Sequence, residues 1–188
     1  MPAIAKTSES DVIDAARSII ADCGIDGITL HALADSVGIK APSLYKRFAG
    51  REEIIRRVQL TEFTDLARNI AAETLDLPPQ DAVRTIARIY WNLSLERPRI
   101  YEALFSGASI TEPEDLAVRT SAMLPIFDAC RALAGAGVAL GAARTVTAYI
   151  HGFITMNMAG VFQQSPGIEG SYYFGLNAII KGIASPAE

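Results

Sequence analysis

The spacing of apolar residues constrains this chain more than any other feature of its sequence. Apolar side chains recur every three or four residues in segment after segment, as Val12, Ala16 and Ile20 do near the start, and this is the period of an amphipathic α-helix. No segment shows the sustained alternation of apolar and polar residues that is typical of a β-strand. A capping box at Ser8 and a glycine stop at Gly24 bound the first such segment. The sequence therefore predicts an all-α fold.

Start and stop signals also predict the extent of the later helices. Pro78 and Pro79 break the helical pattern in the middle of the chain, since proline cannot continue a helix. Pro125 lies inside a predicted helix, and a kink or break is expected there. The predicted helices after the first one are Thr29–Val37, Pro42–Phe48, Gly50 to about Leu75, Asp81–Leu95, Arg99–Phe105, one opened by a capping box at Thr111–Glu114 with Pro113 in its first turn, Leu140–Phe162 and Ser171–Ile183.

Composition and charge bound the class of protein. The 188 residues are 50% apolar, which is enough to build a core for one domain, or for a small module joined to a larger domain. The formal net charge of −4 excludes an overall basic nucleic-acid-binding protein but not a local basic patch. Cys23 and Cys130 lie far apart, and the chain has 2 histidines, so we expect neither a disulfide framework nor a metal site. This cysteine usage fits a reducing cytoplasm.

The sequence holds no set of residues assembled for catalysis. The glycine-rich run Gly135–Gly141 misses the G-x-G-x-x-G spacing by one residue and follows no predicted strand. No H-E-x-x-H, G-x-S-x-G or P-loop motif is found. We therefore predict a protein that is not an enzyme and that needs no cofactor.

One segment is apolar enough to raise the question of a membrane span. Thr145–Phe162 carries no charge and is near the lower length limit for a transmembrane helix. It contains polar side chains, among them His151 and Asn157, and no cluster of basic residues flanks it. A helix that is apolar nearly all round is otherwise buried in a core or a subunit interface. Together with the apolar segment Tyr172–Ile183, it predicts a homodimer and no membrane span, and Met1–Ser10 shows no signal peptide.

The two short helices near the start of the chain are the feature that points to function. They are joined by a short turn that contains Gly38, and they follow a longer supporting helix, which is the order of elements in a helix-turn-helix. An ordinary pair of packed helices would show the same order, but the charge favours DNA. Six basic and two acidic residues lie between Lys40 and Arg57, whereas the rest of the chain carries a charge of −8. Positive potential is therefore concentrated where a polyanion could dock.

The residues of this segment resemble a known family. Thr29–Ile54, with the sequence TLHALADSVGIKAPSLYKRFAGREEI, resembles the DNA-binding segment of the tetracycline-repressor (TetR) family. The remainder resembles the subgroup whose C-terminal domain is named for a Trp and a His-Gly pair, here Trp91 and His151-Gly152. The resemblance implies a helix-turn-helix DNA-binding domain at residues 1–50 and a helical ligand-binding and dimerisation domain at residues 51–188.

The resemblance also implies roles for individual residues. The helix Pro42–Phe48 would enter the major groove, where its first residues lie near base edges and Lys46 reaches bases or phosphates. Hydroxyl, phenol and guanidinium groups would hold phosphates. His31 stands where an arginine is frequent in the family, and Lys40 replaces the usual small polar helix cap. The DNA-binding residues implied are Thr29, His31, Lys40, Ala41, Pro42, Ser43, Tyr45, Lys46, Arg47 and Arg51.

The same resemblance implies a two-state regulator, a repressor of a palindromic operator. A small effector would favour a conformation in which the two recognition helices of a dimer are wrongly spaced for successive major grooves. Few charges accompany the aromatic residues of the middle helices, so we expect an apolar or aromatic effector bound between helices. The predicted ligand-binding residues are Trp91, Phe105, Met123, Phe127, Tyr149, His151 and Met156. The first alternative is that these side chains only fill the core. The other two are that the chain is a helical small-molecule-binding or scaffold protein without operator recognition, and that it is a small membrane-associated helical protein.

Overall fold

The computed structural model describes residues 7–106, 112–162 and 167–184. Every regular element within these ranges is helical, so the prediction of an all-α fold is confirmed. A short 3₁₀ helix, Ile25–Gly27, lies between the first two α-helices. The α-helices are α1 (Glu9–Cys23), α2 (Leu30–Ser36), α3 (Ala41–Tyr45), α4 (Arg51–Thr74), α5 (Pro79–Glu96), α6 (Pro98–Phe105), α7 (Pro113–Ala134), α8 (Ala139–Met158) and α9 (Ile168–Ala184). Of the helices in these ranges, none is long and apolar enough to cross a membrane.

Local capping explains where the first helices begin and end. The Ser8 hydroxyl accepts a hydrogen bond from the Asp11 amide at 3.1 Å, and the Asp11 carboxylate accepts one from the Ser8 amide at 2.7 Å, so the predicted capping box is present. The Thr29 hydroxyl caps α2 by accepting a hydrogen bond from the Ala32 amide at 3.1 Å. Gly24 ends α1 with a φ of 73°, a conformation that favours glycine.

Two helices end three or four residues earlier than the sequence predicts. α3 stops at Tyr45 rather than at Phe48, because the Arg47 and Phe48 amides both donate to the Leu44 carbonyl at 2.9 Å and tighten the chain into a turn. α8 stops at Met158 rather than at Phe162. Gly160 follows it with a φ of 76°, and a left-handed residue at this point ends an α-helix.

Pro125 does not break the helix that contains it. A kink or a break is expected at this proline, but α7 runs without interruption from Pro113 to Ala134. The break is therefore absent. A proline inside a helix removes one backbone hydrogen bond and costs about 3 kcal/mol. Ala122, Ile126 and Ala129 are buried on both sides of the proline. Because most helical stability in proteins comes from such tertiary packing, this burial offsets the cost.

Internal contacts group the helices into two compact units. The first unit is formed by the described residues of Met1–Thr64 and Arg97–Val118, and the second unit by those of Asp65–Glu96 and Arg119–Glu188. The sequence predicts a functional boundary between residues 50 and 51. The two compact units do not test this boundary, and it stays a prediction.

In the first unit, α2 packs against α1 and α3 packs against α2, and each of the three helices buries apolar side chains. Val12 of α1, Leu33 of α2 and Leu44 of α3 are fully shielded from solvent, and α2 contacts both α1 and α3. Ile100 and Leu104 of α6 are also buried, and α6 packs against α1. This packing fixes which side of α3 faces inward.

An aromatic cluster forms the centre of the second unit. The Trp91 and Tyr172 rings stack with centroids 4.8 Å apart, and the Phe153 ring packs against both, at 6.2 and 5.3 Å. The Tyr172 hydroxyl donates to a backbone carbonyl of α5 at 2.9 Å, so this buried polar group is satisfied. The Tyr149 hydroxyl donates to the Tyr172 carbonyl at 2.7 Å, and its ring lies over Gly175, where a side chain would overlap it. The cluster thereby packs α5, α8 and α9 together.

Candidate functional site

The packing of α3 leaves one face of this helix outside. Leu44 is fully buried, and so is Phe48 just after the helix, whereas 64% of the Tyr45 surface is accessible. The predicted DNA-binding residues at this helix are all exposed or half-buried: Ala41, Pro42, Ser43, Tyr45 and Lys46. The structure therefore brings these five residues together on one accessible surface.

The turn between α2 and α3 spans residues 37–40 and is shaped by Gly38. Its φ of 68° is a conformation that favours glycine, and the next amide, that of Ile39, donates to the Ala34 carbonyl at 3.0 Å. Lys40 then precedes α3 as an exposed residue whose side chain caps nothing. The turn thus places a cation at the start of the outward face.

Two of the predicted phosphate-binding arginines also hold the first unit together. Arg47 Nη1 donates to the Thr7 carbonyl at 2.6 Å. Arg51 Nε donates to the Ile28 carbonyl at 2.8 Å, and its Nη2 donates to the Ile25 carbonyl at 2.7 Å. These bonds tie the start of α4 to the 3₁₀ helix between α1 and α2. Arg51 has a structural role that the sequence did not predict, and its contact with phosphate stays a prediction.

The last two arginines of the basic segment Lys40–Arg57 have acidic partners in the first unit. Arg56 pairs with Asp115 at 2.6 Å, and Arg57 pairs with Glu9 at 3.2 Å. The two lysines that flank α3 form no ion pair with any described residue. Fewer cations than the six in this segment are therefore available to DNA, and those that are available lie around α3.

Thr29 and His31 lie at the start of α2 and are both exposed. The Thr29 hydroxyl is engaged as a helix cap, but an oxygen of this kind still has a proton to donate. The His31 Nε2 lies 3.5 Å from the Asp35 carboxylate, one helical turn further on. Both side chains are accessible to DNA, and their contacts stay predictions.

A buried carboxylate that the sequence analysis missed lies between two arginines of the first unit. Glu62 of α4 is 4% exposed. It accepts hydrogen bonds from Arg17 Nε at 2.9 Å and from Arg97 Nη1 and Nη2 at 3.0 and 2.6 Å. A buried charge needs such pairing, because desolvation alone costs several kcal/mol. The one signal in the sequence is its spacing, four residues from Val58 and Leu66 on the apolar face of α4.

The second unit contains a cavity of about 600 Å³ between α7 and α8. This volume lies within the range of small-molecule sites. The lining residues recur mainly every three or four positions, so each helix contributes one stripe of its surface. They are Thr120, Met123, Leu124, Ile126 and Phe127 of α7, and Leu140, Ala143, Arg144, Thr147, Ala148 and His151 of α8.

The structure brings together only part of the predicted ligand-binding set. Those that line the cavity are Met123, Phe127 and His151. Trp91 is buried in the aromatic cluster, and Tyr149 packs over α9. Met156 is exposed, and Phe105 belongs to the first unit. The ligand-binding roles of all these residues stay predictions.

His151 is a lining residue whose pKa is shifted by burial. Burial lowers its pKa from 6.5 to about 4, because the imidazolium ion would lose its hydration. Its ring also packs edge-on against Tyr90, with centroids 5.1 Å apart. At pH 7 this side chain is therefore a neutral polar group.

The chain matches two known protein families, and both matches agree with the observed fold. Residues 12–58 match the family described as "Bacterial regulatory proteins, tetR family", and residues 83–179 match the one described as "Tetracyclin repressor-like, C-terminal domain". The fold and these matches define a transcriptional regulator of the helix-turn-helix type, and not an enzyme. The chain belongs to the tetR family of bacterial regulatory proteins, which confirms the predicted family. The subgroup named for a Trp and a His-Gly pair stays a prediction.

Individual relatives match over nearly the whole chain. YobS of Bacillus subtilis (strain 168), described as an uncharacterized HTH-type transcriptional regulator, is 23% identical over 172 residues, which cover 92% of this chain and 90% of YobS. The crystal structure of BioQ from Mycobacterium smegmatis is 26% identical, with a TM-score of 0.70 and coverage of 95% of this chain and 98% of BioQ. A crystal structure of BioQ with its natural double-stranded DNA operator has a TM-score of 0.70, 23% identity and coverage of 96% and 99%. At that identity, the likeness shows the fold alone.

Proposed function

We propose that this protein is a ligand-responsive repressor that binds a palindromic operator as a homodimer. The observation that carries the proposal is the outward face of α3, where four predicted contact residues are accessible between Lys40 and Lys46. Phosphate contacts from such cations supply much of the affinity for DNA, and side chains on the helix read base edges. The solved complex of BioQ with an operator supports this use of the fold. Because bacterial operators lie in the cytoplasm, we place the protein there.

A homodimer would present two copies of α3 to successive major grooves. The support for this part of the proposal is apolar surface on the last two helices of the second unit. Met156 of α8 is 45% exposed, and Phe174 of α9 is 78% exposed. Exposed apolar patches of this kind mark interaction surfaces. We propose that α8 and α9 of both subunits form a four-helix interface with two-fold symmetry.

The cavity between α7 and α8 is the proposed effector site. An effector that binds one conformation more tightly than another shifts the equilibrium between them, and coupling of about 1–3 kcal/mol is typical. The cavity by itself also favours the second candidate function, a helical small-molecule-binding protein without operator recognition. An operator test distinguishes the two.

A footprint on the DNA that flanks the gene for this protein is the decisive experiment. We expect two protected half-sites about one helical turn apart, and a steep decrease in affinity as salt rises. Lys46→Ala should reduce the slope of log affinity against log salt by about 0.9. Arg131→Ala, which removes an exposed cation of the second unit, is the matched control and should leave the slope unchanged. If no site is protected at low salt, operator recognition is ruled out.

Sedimentation velocity at micromolar concentration tests the dimer. We expect a species of twice the 20.1-kDa chain mass, which Phe174→Arg should convert to monomer, because a buried charge without a partner is strongly unfavourable. Leu95→Arg changes another exposed apolar residue, on α5, and should remain a dimer. A wild-type protein that sediments as a monomer contradicts the proposed interface.

A further inference from the structure

Arg144 differs from every other described residue that lines the cavity between α7 and α8. It is the one arginine or lysine among them, and no aspartate or glutamate belongs to that set. It forms no ion pair with another described residue. In the sequence, it is the single charge between Arg131 and Glu169. The cavity therefore combines an apolar wall with one positive charge, and no carboxylate among its described lining residues compensates that charge.

The stripe of α8 that carries Arg144 is long and otherwise neutral. Leu140 precedes Arg144 by four residues, and Thr147 and Ala148 follow it by three and four, so all lie on one side of the helix. From Leu140 to His151 the stripe extends over about 16 Å, at a rise of 1.5 Å per residue. His151 at its far end is neutral at pH 7, since burial lowers its pKa to about 4. The cation thus lies near one end of an elongated apolar groove.

We propose that the effector is an amphipathic monoanion, an apolar chain or ring system with one carboxylate, which binds Arg144 through the carboxylate and lies along the groove toward His151. This inference rests on the proposed function, because it names the effector class for the same cavity. Arginine donates two parallel hydrogen bonds to a carboxylate, and Arg144 is exposed, so its guanidinium is accessible to a ligand that lies in the groove. A polyanion would find one cation for several charges, and a cationic ligand would be repelled, so the groove selects against both.

Two series of probes test the proposal, and within each series the apolar group is kept while the head group differs. Decanoate, decanol and decylammonium are titrated calorimetrically into the full chain below their micelle-forming concentrations, as are naphthylacetate, naphthylethanol and naphthylethylammonium. For at least one of the two series, alkyl or naphthyl, we expect the carboxylate to bind about tenfold tighter than the alcohol. The ammonium should bind most weakly. Arg144→Met should abolish this preference while the alcohol keeps its affinity, and Arg144→Lys should retain part of it. Arg131→Met, which removes an exposed cation of α7 outside the cavity, is the matched control and should keep the full preference.

Several outcomes would overturn the proposal. Alcohols that bind as tightly as their carboxylates refute the proposal. So does an Arg144→Met variant that keeps the preference, and so does the absence of binding by every probe. If Leu124→Glu on the opposite wall converts dimers to monomers in sedimentation velocity, the groove is a subunit interface and the proposal also fails. The operator footprint of the wild-type protein is recorded separately, without probe. Its absence refutes the repressor function, whereas the head-group preference alone decides the effector class.

Discussion

Replacing the buried carboxylate of Glu62 by an amide should destabilise the first unit strongly. Glu62→Gln preserves the shape of the side chain but turns one acceptor oxygen into an NH₂ group that faces an arginine donor. Loss of one hydrogen bond between charged groups costs about 1.5–3 kcal/mol, and breaking a fully buried pair costs about 3–5 kcal/mol. The Arg17 and Arg97 side chains are 25% and 38% exposed, so both can still reach water. We therefore expect the free energy of unfolding to fall by about 2–4 kcal/mol.

Urea unfolding, followed by far-ultraviolet circular dichroism at one fixed protein concentration, measures this loss. Asp128→Asn is the matched control, because Asp128 pairs with Arg131 where both side chains are 57% exposed, and such surface pairs contribute at most about 1 kcal/mol. A double-mutant cycle that combines Glu62→Gln with Arg17→Met should give a coupling energy of about 1–2 kcal/mol. Strictly additive effects, or a loss in Glu62→Gln no larger than in the control, would refute the interpretation of Glu62 as a shielded charge.

Arg51→Ala should lower the free energy of unfolding by about 1–2 kcal/mol, because two carbonyls lose their guanidinium donor; an unchanged urea midpoint would contradict this. Gly175→Ala should cost about 1–3 kcal/mol, since its Cβ would stand 2.7 Å from the Cζ of the tyrosine above it. Gly182→Ala, with nothing within 4 Å, should instead stabilise α9 by up to about 1 kcal/mol, and thermal melts that show the same sign for both variants would count against this packing. Folded His151 binds its proton more weakly than the unfolded chain does, with a pKa of about 4 against 6.5, so stability should fall as the pH drops through this range, by up to roughly 1.4 kcal/mol per pH unit. His151→Gln should remove that part of the pH dependence in urea titrations, and parallel pH profiles for the two proteins would exclude it.

The helices could be predicted because their start and stop signals act over a few residues. The Ser8 cap reaches three positions along the chain, and Gly24 ends α1 through its own backbone conformation. Pro125 does not break α7, since Ala122 and Ile126 on either side of it are buried and their packing outweighs one missing hydrogen bond. The end of α3 was also missed, because the Leu44 carbonyl accepts from two amides there.

The candidate site could be predicted only where it depends on local order. The outward residues of α3 follow from its sequence, but Arg51 finds its carbonyl partners 23 and 26 residues away, and Glu62 finds Arg17 at a separation of 45 residues. Such distant contacts leave no periodic signal. Aromatic character predicts Trp91 as a ligand contact, and the structure places its ring in the buried aromatic cluster, so its role stays a prediction. The cavity lies along α8 where side chains are small, as at Ala143 and Ala148, and their small volume leaves the space open.

The composition of α3 limits how an operator could be distinguished from other DNA. Ala41 and Pro42 have no hydrogen-bonding side chain, and Ser43 has a single hydroxyl. The arginine, asparagine and glutamine side chains that discriminate best between base edges are missing from this five-residue helix. Lys46, exposed just after the helix, is the nearby side chain that can read a guanine edge, and we expect much of the remaining selectivity to come from the stiffness of the DNA and from the distance between half-sites. One base pair inserted at the operator centre should therefore weaken binding more than most single-base substitutions. The geometry of the duplex would then define the set of genes controlled more than its base sequence does.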